Sequence, residues 1–372
     1  MKKCVSTEAL EKPLPKTATT ERGPPKTGKN GLLCTGGTRS VASARGFASA
    51  STILLVTAQA LSAAAAAPTP ATSVAAAKEP VVILQGDTPS ESGVHGKGNV
   101  YAPDICVEDG LWRMWYGGQG KDGHDRIHLA ESQDGRVWKK RGMVLEDKEA
   151  NHVNDPSVVR VGNEWWMYYT RAGTDVLDEI ALAVSCDGIV WEKRGIVLRP
   201  GAPGTWDALL VGRPSVLKEN GRFKMWYDGR ADLPPNAPAT GVPKSPTSQR
   251  SVGYAESADG IHWQRHGREP VFQDGAGAVH VAHIGSRYRM VYESHQGTQS
   301  AVSTDGLKWM ARGYLVRNSG TPLDAHGQVT PFFLWSDATG REARLFFGGA
   351  REAGWDCNLI CFQTIQPGIG RE

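Results

Sequence analysis

A short motif, S-x-D-G-x-x-W, occurs four times in the chain and limits the folds open to it more than any other feature. Its copies begin at Ser132, Ser185, Ser257 and Ser303. An Asp-Gly pair between runs of β-branched and aromatic residues is typical of a tight turn between antiparallel strands. Because the motif keeps returning, each copy is expected to belong to one unit of a repeat architecture.

Two further elements precede the motif and set the register of the repeat. A Met-x-Tyr element lies ahead of each copy, beginning at Met114, Met167, Met225 and Met290. A proline stands 11 positions before the first three of these methionines, at Pro103, Pro156 and Pro214. Polar turn sequences separate the apolar runs and no helical period is present, so each unit is predicted to contain four short strands.

A fifth, degenerate unit is predicted after the last copy of the motif. Its two inner strands would span 329–334 and 344–349, and its outer strands would come from 357–365, closed by 81–84 from the N-terminal side. Four-stranded units that close into a ring form a propeller, whereas an open array would leave unpaired strand edges. We therefore predict an all-β fold, a five-bladed β-propeller of four-stranded antiparallel blades, across residues 79–372.

Residues 1–78 differ from the rest and are predicted to be a disordered targeting or export leader with a linker. They are rich in Ala, Ser, Thr, Pro and Lys and show no strand or helix period. The apolar stretch 53–67 resembles the core of a signal sequence and is too short for a confident membrane span, so none is expected in the mature form. The basic, hydroxylated segment ahead of it resembles a bipartite transit sequence for a plastid and its thylakoid lumen, and secretion or periplasmic export is an equal alternative.

The overall composition argues against a nucleic-acid partner. Lys and Arg number 42 against 39 Asp and Glu, a net charge of +3, and the leader carries much of this excess. The chain also contains 12 Trp residues. Indole rings pack between blades and also offer flat apolar faces to sugars, so their number is compatible with a carbohydrate site without requiring one.

The prolines direct charged side chains to one mouth of the propeller axis. Asp104 follows its proline and Asp155 precedes its own, and the positions on either side of a residue share a face of a strand. The inner strands of the later units add Arg213 and His280, and His326 lies just ahead of the fifth unit. The second strands contribute, where they end, Arg171, Asp228, Arg230, Glu293, His295 and Arg351. Such a mouth is either a catalytic site or a solvated set of salt bridges.

The blade pattern over residues 95–367 resembles the superfamily of five-bladed glycosidases that contains arabinanases, levansucrases and invertases. Tyr-Ala-Pro-Asp, ending at Asp104, is similar to the W-A-P-D motif of glycoside hydrolase family 43 and implies an active-site carboxylate. Asn-Asp-Pro, around Asp155, is similar to the R-D-P of invertases and to the E-D-P-R of the family 130 mannoside phosphorylases, whose Asp is the general acid. Val-Gly-Arg-Pro, around Arg213, departs from the pattern, since hydrolases of this clan carry a Glu there.

This resemblance implies an enzyme that cleaves an oligosaccharide or glycoside, by hydrolysis or by phosphorolysis. Such cleavage generally uses two carboxyl groups, roughly 5 to 10 Å apart. Asp104 and Asp155 are the central candidates, with Asp207, Asp228 or Glu293 as the third. Residues expected to bind the substrate are Arg171, Arg213, Arg230, His295, Arg351 and Trp206. The arginines suit phosphate or an anionic sugar, and structural pairing with acidic residues is the alternative.

Other functions remain open at this point. The main alternative is a carbohydrate-binding propeller that has lost the standard acid and catalyses nothing, and another is an interaction scaffold without affinity for sugars. A sialidase is a weaker alternative, because the related sialidase box separates Asp from Gly and its propeller has six blades.

No cofactor is required by the predicted chemistry. The resemblance to family 43 implies a structural Ca²⁺ on the axis, with His280 and His326 near it. Calcium prefers oxygen ligands, so the alternative is that both histidines are hydrogen-bonded structural groups.

Overall fold

The computed structural model describes residues 79–173, 177–335 and 343–365, and every regular element there is a β-strand. The predicted leader, 1–78, lies outside the described residues. Strand β1 is Val81–Leu84. The first blade has β2 Val100–Glu108, β3 Leu111–Gln119, β4 Asp125–Ser132 and β5 Trp138–Leu145; the second has β6 His152–Val161, β7 Glu164–Ala172, β8 Glu179–Ser185 and β9 Glu192–Leu198. The third has β10 Leu210–Glu219, β11 Arg222–Arg230, β12 Ser251–Ser257 and β13 Gln264–Arg265; the fourth has β14 His280–Ile284, β15 Arg287–Tyr292, β16 Gly297–Ser303 and β17 Met310–Arg317. The fifth contains β18 Gln328–Trp335, β19 Ala343–Ala350 and β20 Asn358–Ile365.

These strands form five four-stranded antiparallel sheets. In the first four sheets the strand order follows the chain, while the fifth has the order β1-β20-β19-β18. Val81 pairs with Phe362 and Val82 with Cys361, so one blade joins the two ends of the described chain. Combining the ends in one sheet is how a propeller closes its ring. The predicted five-bladed architecture is thus confirmed. Within the described ranges, no helix has the length and apolar character needed to cross a membrane.

The repeated motif forms the turn between the third and fourth strand of a blade and joins it to the preceding blade. In the second blade, Asp187 Oδ1 accepts two backbone N–H groups of the turn, and the Gly188 carbonyl accepts Nε1 of Trp115 at 2.9 Å from the first blade. The corresponding bonds in the following blades run from Tyr168 to the carbonyl of Gly260 and from Trp226 to the carbonyl of Gly306, both at 2.8 Å. These residues lie in the apolar clusters that fill the space between blades. The motif is therefore structural, as its Asp-Gly turn indicated.

The inner strands share an irregularity that determines which side chains reach the axis. The residue before the proline, or before the residue equivalent to it, has a positive φ in every blade. These residues are Ala102 (51°), Asp155 (50°), Arg213 (48°), Ala278 (48°) and Thr330 (44°). The strand pairing also shifts register at this point in four blades. A left-handed conformation is disfavoured by about 1–2 kcal/mol for residues other than glycine, and residues before proline normally avoid the helical region altogether. The conformation is thus common to all five inner strands, and in four of them it coincides with a β-bulge.

Candidate active site at the mouth of the axis

Each inner strand contributes three consecutive residues to a cavity on the axis. The lining segments are 102–104, 155–157, 213–215, 278–280 and 330–332. Each begins with the positive-φ residue of its strand, so these five strained residues all line the cavity. Four of the predicted site residues lie here, namely Asp104, Asp155, Arg213 and His280.

The third residue of the first four lining segments accepts a hydrogen bond from the backbone of the next blade. The Asp104 carboxylate accepts the Val158 N–H at 3.0 Å. Ser157 and Ser215 accept equivalent N–H groups at 3.0 and 2.9 Å, and Nδ1 of His280 accepts the Phe333 N–H at 3.2 Å. A carboxyl group, two hydroxyls and an imidazole thus each accept a backbone N–H of the next blade at four equivalent positions. Asp104 is accordingly a member of a structural ring as well as a cavity residue.

Replacing Asp104 by Asn should stabilise the protein at alkaline pH. Burial raises the pKa of Asp104 from 3.8 to about 7, opposed by the Val158 N–H. Between about pH 4 and pH 7 the folded state therefore holds a proton that the unfolded chain has released, and the free energy of unfolding falls as pH rises. An Asn accepts the same N–H without ionising. The variant should match the wild type near pH 4 and exceed it by about 1 kcal/mol or more at pH 8 in urea titrations. A variant less stable at pH 8 would contradict the structural assignment.

Asp155 differs from Asp104 although both line the cavity. It is buried, and its Oδ2 accepts no hydrogen bond from the described residues. Burial raises its pKa to about 7; the Arg213 guanidinium, 3.8 Å from Oδ2, opposes this shift, and the nearby Asp178 and Asp228 add to it. An acidic group that holds its proton near neutral pH and keeps one oxygen unengaged has the properties of a general acid.

Asp155 belongs to a cluster of charged side chains that we call the arginine network. Its members are Asp155, Asp178, Arg213, Asp228, Arg250 and Glu293. Asp228 is fully buried and accepts Arg213 Nη1 on Oδ1 at 3.3 Å. Its Oδ2 accepts Arg250 Nε at 2.7 Å and the Ala278 N–H at 3.1 Å. Burial would raise the pKa of Asp228, but Arg250 and Arg213 hold it below its ordinary value. Asp228 is therefore an ionised anchor that orients both guanidiniums.

Glu293 closes the network toward the fifth blade. Its Oε1 binds Arg250, and its Oε2 accepts the Thr330 N–H at 3.0 Å. Thr170, in the second blade, uses its hydroxyl to accept the Arg213 N–H of the third blade at 2.8 Å. Thr170, Asp228 and Glu293 each follow the Met-x-Tyr element of their blade. Their shared contact is with the strained backbone of the next inner strand, so these side chains help to hold the bulges.

Two members of the network, Asp178 and Arg250, were not predicted. Both lie seven residues before the Ser of the S-x-D-G-x-x-W motif in their blade, and Asp125 occupies the same position in the first blade. Asp125 binds His152 and lies 3.4 Å from Nδ2 of Asn154, the neighbour of Asp155. The signal that would have found all three is the register of the S-x-D-G-x-x-W motif, since this position lies at or directly before the start of the third strand.

Several predicted residues lie apart from the axial cavity. Asp207 binds Tyr227, Thr205 and Arg265, and Trp206 stacks on Tyr227. Arg171 pairs with Asp147 at 2.9 Å, and Arg351 donates to the carbonyls of Cys357 and Lys97. These contacts occupy the side chains with structural partners, and catalytic or binding roles for them stay predictions.

Arg230, at the end of β11, has a different environment from the other arginines. It takes part in none of the ion pairs found among the described residues, and burial and the neighbouring Arg250 lower its pKa. A half-buried guanidinium beside two others without its own carboxylate would gain from binding an anion. Arg230 therefore lies beside the arginine network, and its predicted role in substrate binding stays a prediction.

The described residues do not suit calcium at His280 or His326. Nδ1 of His280 already accepts the Phe333 N–H, the ring packs 4.1 Å from Phe332, and burial lowers its pKa to about 3. The cationic Arg213 also lines this cavity, where a divalent cation would need oxygen ligands. His326 is exposed, and its described contacts are made by its backbone. The predicted Ca²⁺ remains a prediction for metal analysis of the purified protein.

Comparisons with known sequences give partial matches. No protein-family model matches the chain. An uncharacterized protein of Mycobacterium tuberculosis is 30% identical over 140 residues, which are 34% of this chain and 45% of that protein. The 1,2-beta-oligomannan phosphorylase of a Thermoanaerobacter species is 28% identical over 129 residues, 34% of this chain and 41% of the enzyme. The matches thus span less than half the length of these relatives.

Solved structures match most of the chain. A structure described as a glycoside hydrolase has a TM-score of 0.62 at 19% identity, covering 78% of this chain and 92% of its own. A family 117 glycoside hydrolase of the marine bacterium Zobellia galactanivorans has a TM-score of 0.59 at 14% identity, covering 78% and 91%. A thermostable family-43 glycoside hydrolase has 0.52 at 15%, covering 74% and 94%. At these identities the likeness shows the fold, which is the propeller of these glycoside hydrolases.

Proposed function

We propose that this chain is a carbohydrate-active enzyme that cleaves glycosidic bonds, with Asp155 as its general acid. The observation that carries the proposal is the state of this carboxyl group: buried on the axis, with a pKa near 7 and one oxygen unengaged among the described residues. Breaking an acetal requires a proton on the leaving oxygen, and a carboxyl group that is still protonated near neutral pH can supply it.

Phosphate is the nucleophile that the surroundings of Asp155 favour. Hydrolysis would need a second carboxylate free to activate water. Asp228 and Glu293 each have both oxygens bound to arginine or backbone N–H groups, so they are poorly placed for this task. An anion needs no such base, and Arg213, Arg230 and Arg250 would bind it. The relative named 1,2-beta-oligomannan phosphorylase supports the same choice.

In this reaction the bond between the anomeric carbon and the leaving oxygen breaks. Asp155 passes its proton to that oxygen, and a phosphate oxygen forms the new bond to the anomeric carbon. The products are a shortened saccharide and a glycosyl phosphate, and Asp155 recovers its proton from solvent. The arginines neutralise the phosphate as it approaches the carboxylates of the network.

The test is incubation of the purified chain with an oligosaccharide panel, with and without inorganic phosphate, and analysis of the products by mass. The panel contains β-1,2-linked manno-oligosaccharides and other oligosaccharides up to the hexasaccharide, with their monosaccharides. A glycosyl phosphate formed only with phosphate is the expected result. Shortened saccharides without phosphate would indicate hydrolysis instead. No product with any substrate would contradict the proposal and favour a binding propeller.

A further inference from the structure

Trp355 holds an unusual position at the rim between the fourth and fifth blades. It lies in the loop from β19 to β20 and has a φ of 58°, a conformation that bulky residues rarely adopt. Its Nε1 donates to the His326 carbonyl at 2.9 Å, and its own carbonyl accepts Nδ2 of Asn358 at 2.6 Å. Backbone strain of this kind persists only where the surrounding contacts hold the residue in place. Here the two hydrogen bonds hold the indole ring in one position.

The ring of His295 packs against this indole. The two ring centroids are 4.4 Å apart, and Nδ1 of His295 donates to the same His326 carbonyl at 3.2 Å. Gly327 lies under the indole: a Cβ there would be 3.1 Å from the Trp355 ring and 2.7 Å from the Ser294 carbonyl. One carbonyl and one glycine therefore set the positions of both rings, while His295 is exposed and Trp355 partly so.

The two rings stand next to the candidate active site. His295 is two residues beyond Glu293, which binds Arg250 and the Thr330 N–H of the cavity lining. Pyranose rings have apolar C–H faces and polar edges, and they lie on rigid aromatic rings at the border of a polar cavity. A substrate that fills the cavity with one sugar unit would extend its next units over this rim.

We infer that Trp355, supported by His295, forms a stacking subsite for a further sugar unit, so that the substrate class is an oligosaccharide rather than a simple glycoside. This inference rests on the proposed function. It assigns Trp355 to binding, and it leaves proton transfer to Asp155.

Two substitutions separate binding from a purely structural role of the ring. Trp355→Gly removes the indole but suits the backbone, because glycine adopts positive φ without strain, so the variant should fold. Trp355→Phe keeps an aromatic face and loses only the bond to the His326 carbonyl. Unfolding temperatures of both variants, measured with the wild type, provide the control for folding.

The experiment is calorimetric titration of wild type and both variants with the same oligosaccharide panel, including β-1,2-linked manno-oligosaccharides. We expect wild-type affinity to rise with chain length, Trp355→Gly to bind the longer oligosaccharides about tenfold more weakly, and binding of monosaccharides to stay unchanged. Trp355→Phe should retain most of the affinity.

The outcomes distinguish the subsite from the proposed function. Length-dependent binding that Trp355→Gly loses, without turnover of any sugar, would support the subsite and refute the enzyme. Turnover and affinity that Trp355→Gly leaves unchanged would refute the subsite alone. A wild-type chain that binds no member of the panel, or binds all lengths equally, would overturn the inference.

Discussion

Asp155→Asn should lower kcat/KM by about 10²- to 10⁴-fold while leaving the fold intact. Asn has nearly the same shape but cannot donate an acidic proton, and general acid catalysis contributes about this much to a rate. Asn also tolerates the left-handed backbone that residue 155 adopts, at φ 50°. The measurement is steady-state kinetics on the panel substrate that the wild type cleaves best, with unfolding temperature as the check on structure.

The matched control is Asp104→Asn. It is also a buried carboxyl of the axial cavity with a pKa raised to about 7 by burial, but it accepts a backbone N–H of the next blade. Its activity should stay within a few-fold of the wild type. If Asp104→Asn abolished turnover and Asp155→Asn did not, the assignment of the acid would be reversed. A substrate whose leaving group is an acidic phenol should restore much of the Asp155→Asn rate, because such a group needs no proton.

The pH dependence of the wild type follows from the same residue. The reactive form of Asp155 is protonated, and burial raises its pKa to about 7. The value of kcat/KM should therefore be constant on the acid side and fall as pH rises through about 7. Asp155→Asn should lack this decline in its residual activity. A wild-type profile that instead rises through pH 7 would show that the essential group acts in its deprotonated form.

The fold could be predicted almost completely because its signals are local and repeated. Prolines, Met-x-Tyr elements and Asp-Gly turns recur in the same order, with a constant 11 positions from proline to methionine in three blades, and the runs of strand residues lie between them. The closure by β1 in the last blade was predicted as well, although 357–365, expected to supply the outer strands, contributes the single strand β20. These are properties of single strands and turns, which a sequence displays directly.

The site could be predicted only in part, because its chemistry depends on contacts between blades. Asp104 and Asp155 were placed at the same mouth, and both line the cavity. The sequence does not display the bulge that gives them different neighbours, a backbone N–H for one and Arg213 for the other. Arg250 was missed for the same reason: its role comes from Asp228, on the neighbouring strand, and Glu293, at the end of a strand in the next blade.

Asp228→Ala should lower the free energy of unfolding by about 3–5 kcal/mol, the largest stability effect that we expect in the arginine network. Removing one partner of a buried ion pair leaves the other charge without compensation. Here it would leave Arg250 with Glu293 alone, weaken the hold on Arg213, and leave the Ala278 N–H without its acceptor. Urea unfolding followed by tryptophan fluorescence measures the change. Asp122→Ala, which breaks an exposed pair with Arg126, should change stability by at most about 1 kcal/mol.

A double-mutant cycle with Arg250→Met then separates the ion pair from the rest of the site. If Asp228 mainly compensates Arg250, the double variant should be less destabilised than the sum of the two single variants, because the charge that each single variant leaves without its partner is removed as well. Glu293 and Arg213 each lose one partner in the double variant, so part of the destabilisation should remain. Additive effects would mean that Asp228 acts through the bulge backbone instead. In either case binding of inorganic phosphate should weaken in Arg250→Met, since the arginines of this network are the groups proposed to hold the anion. Loss of stability without loss of phosphate binding would restrict Arg250 to a structural role and leave Arg213 and Arg230 as the anion ligands.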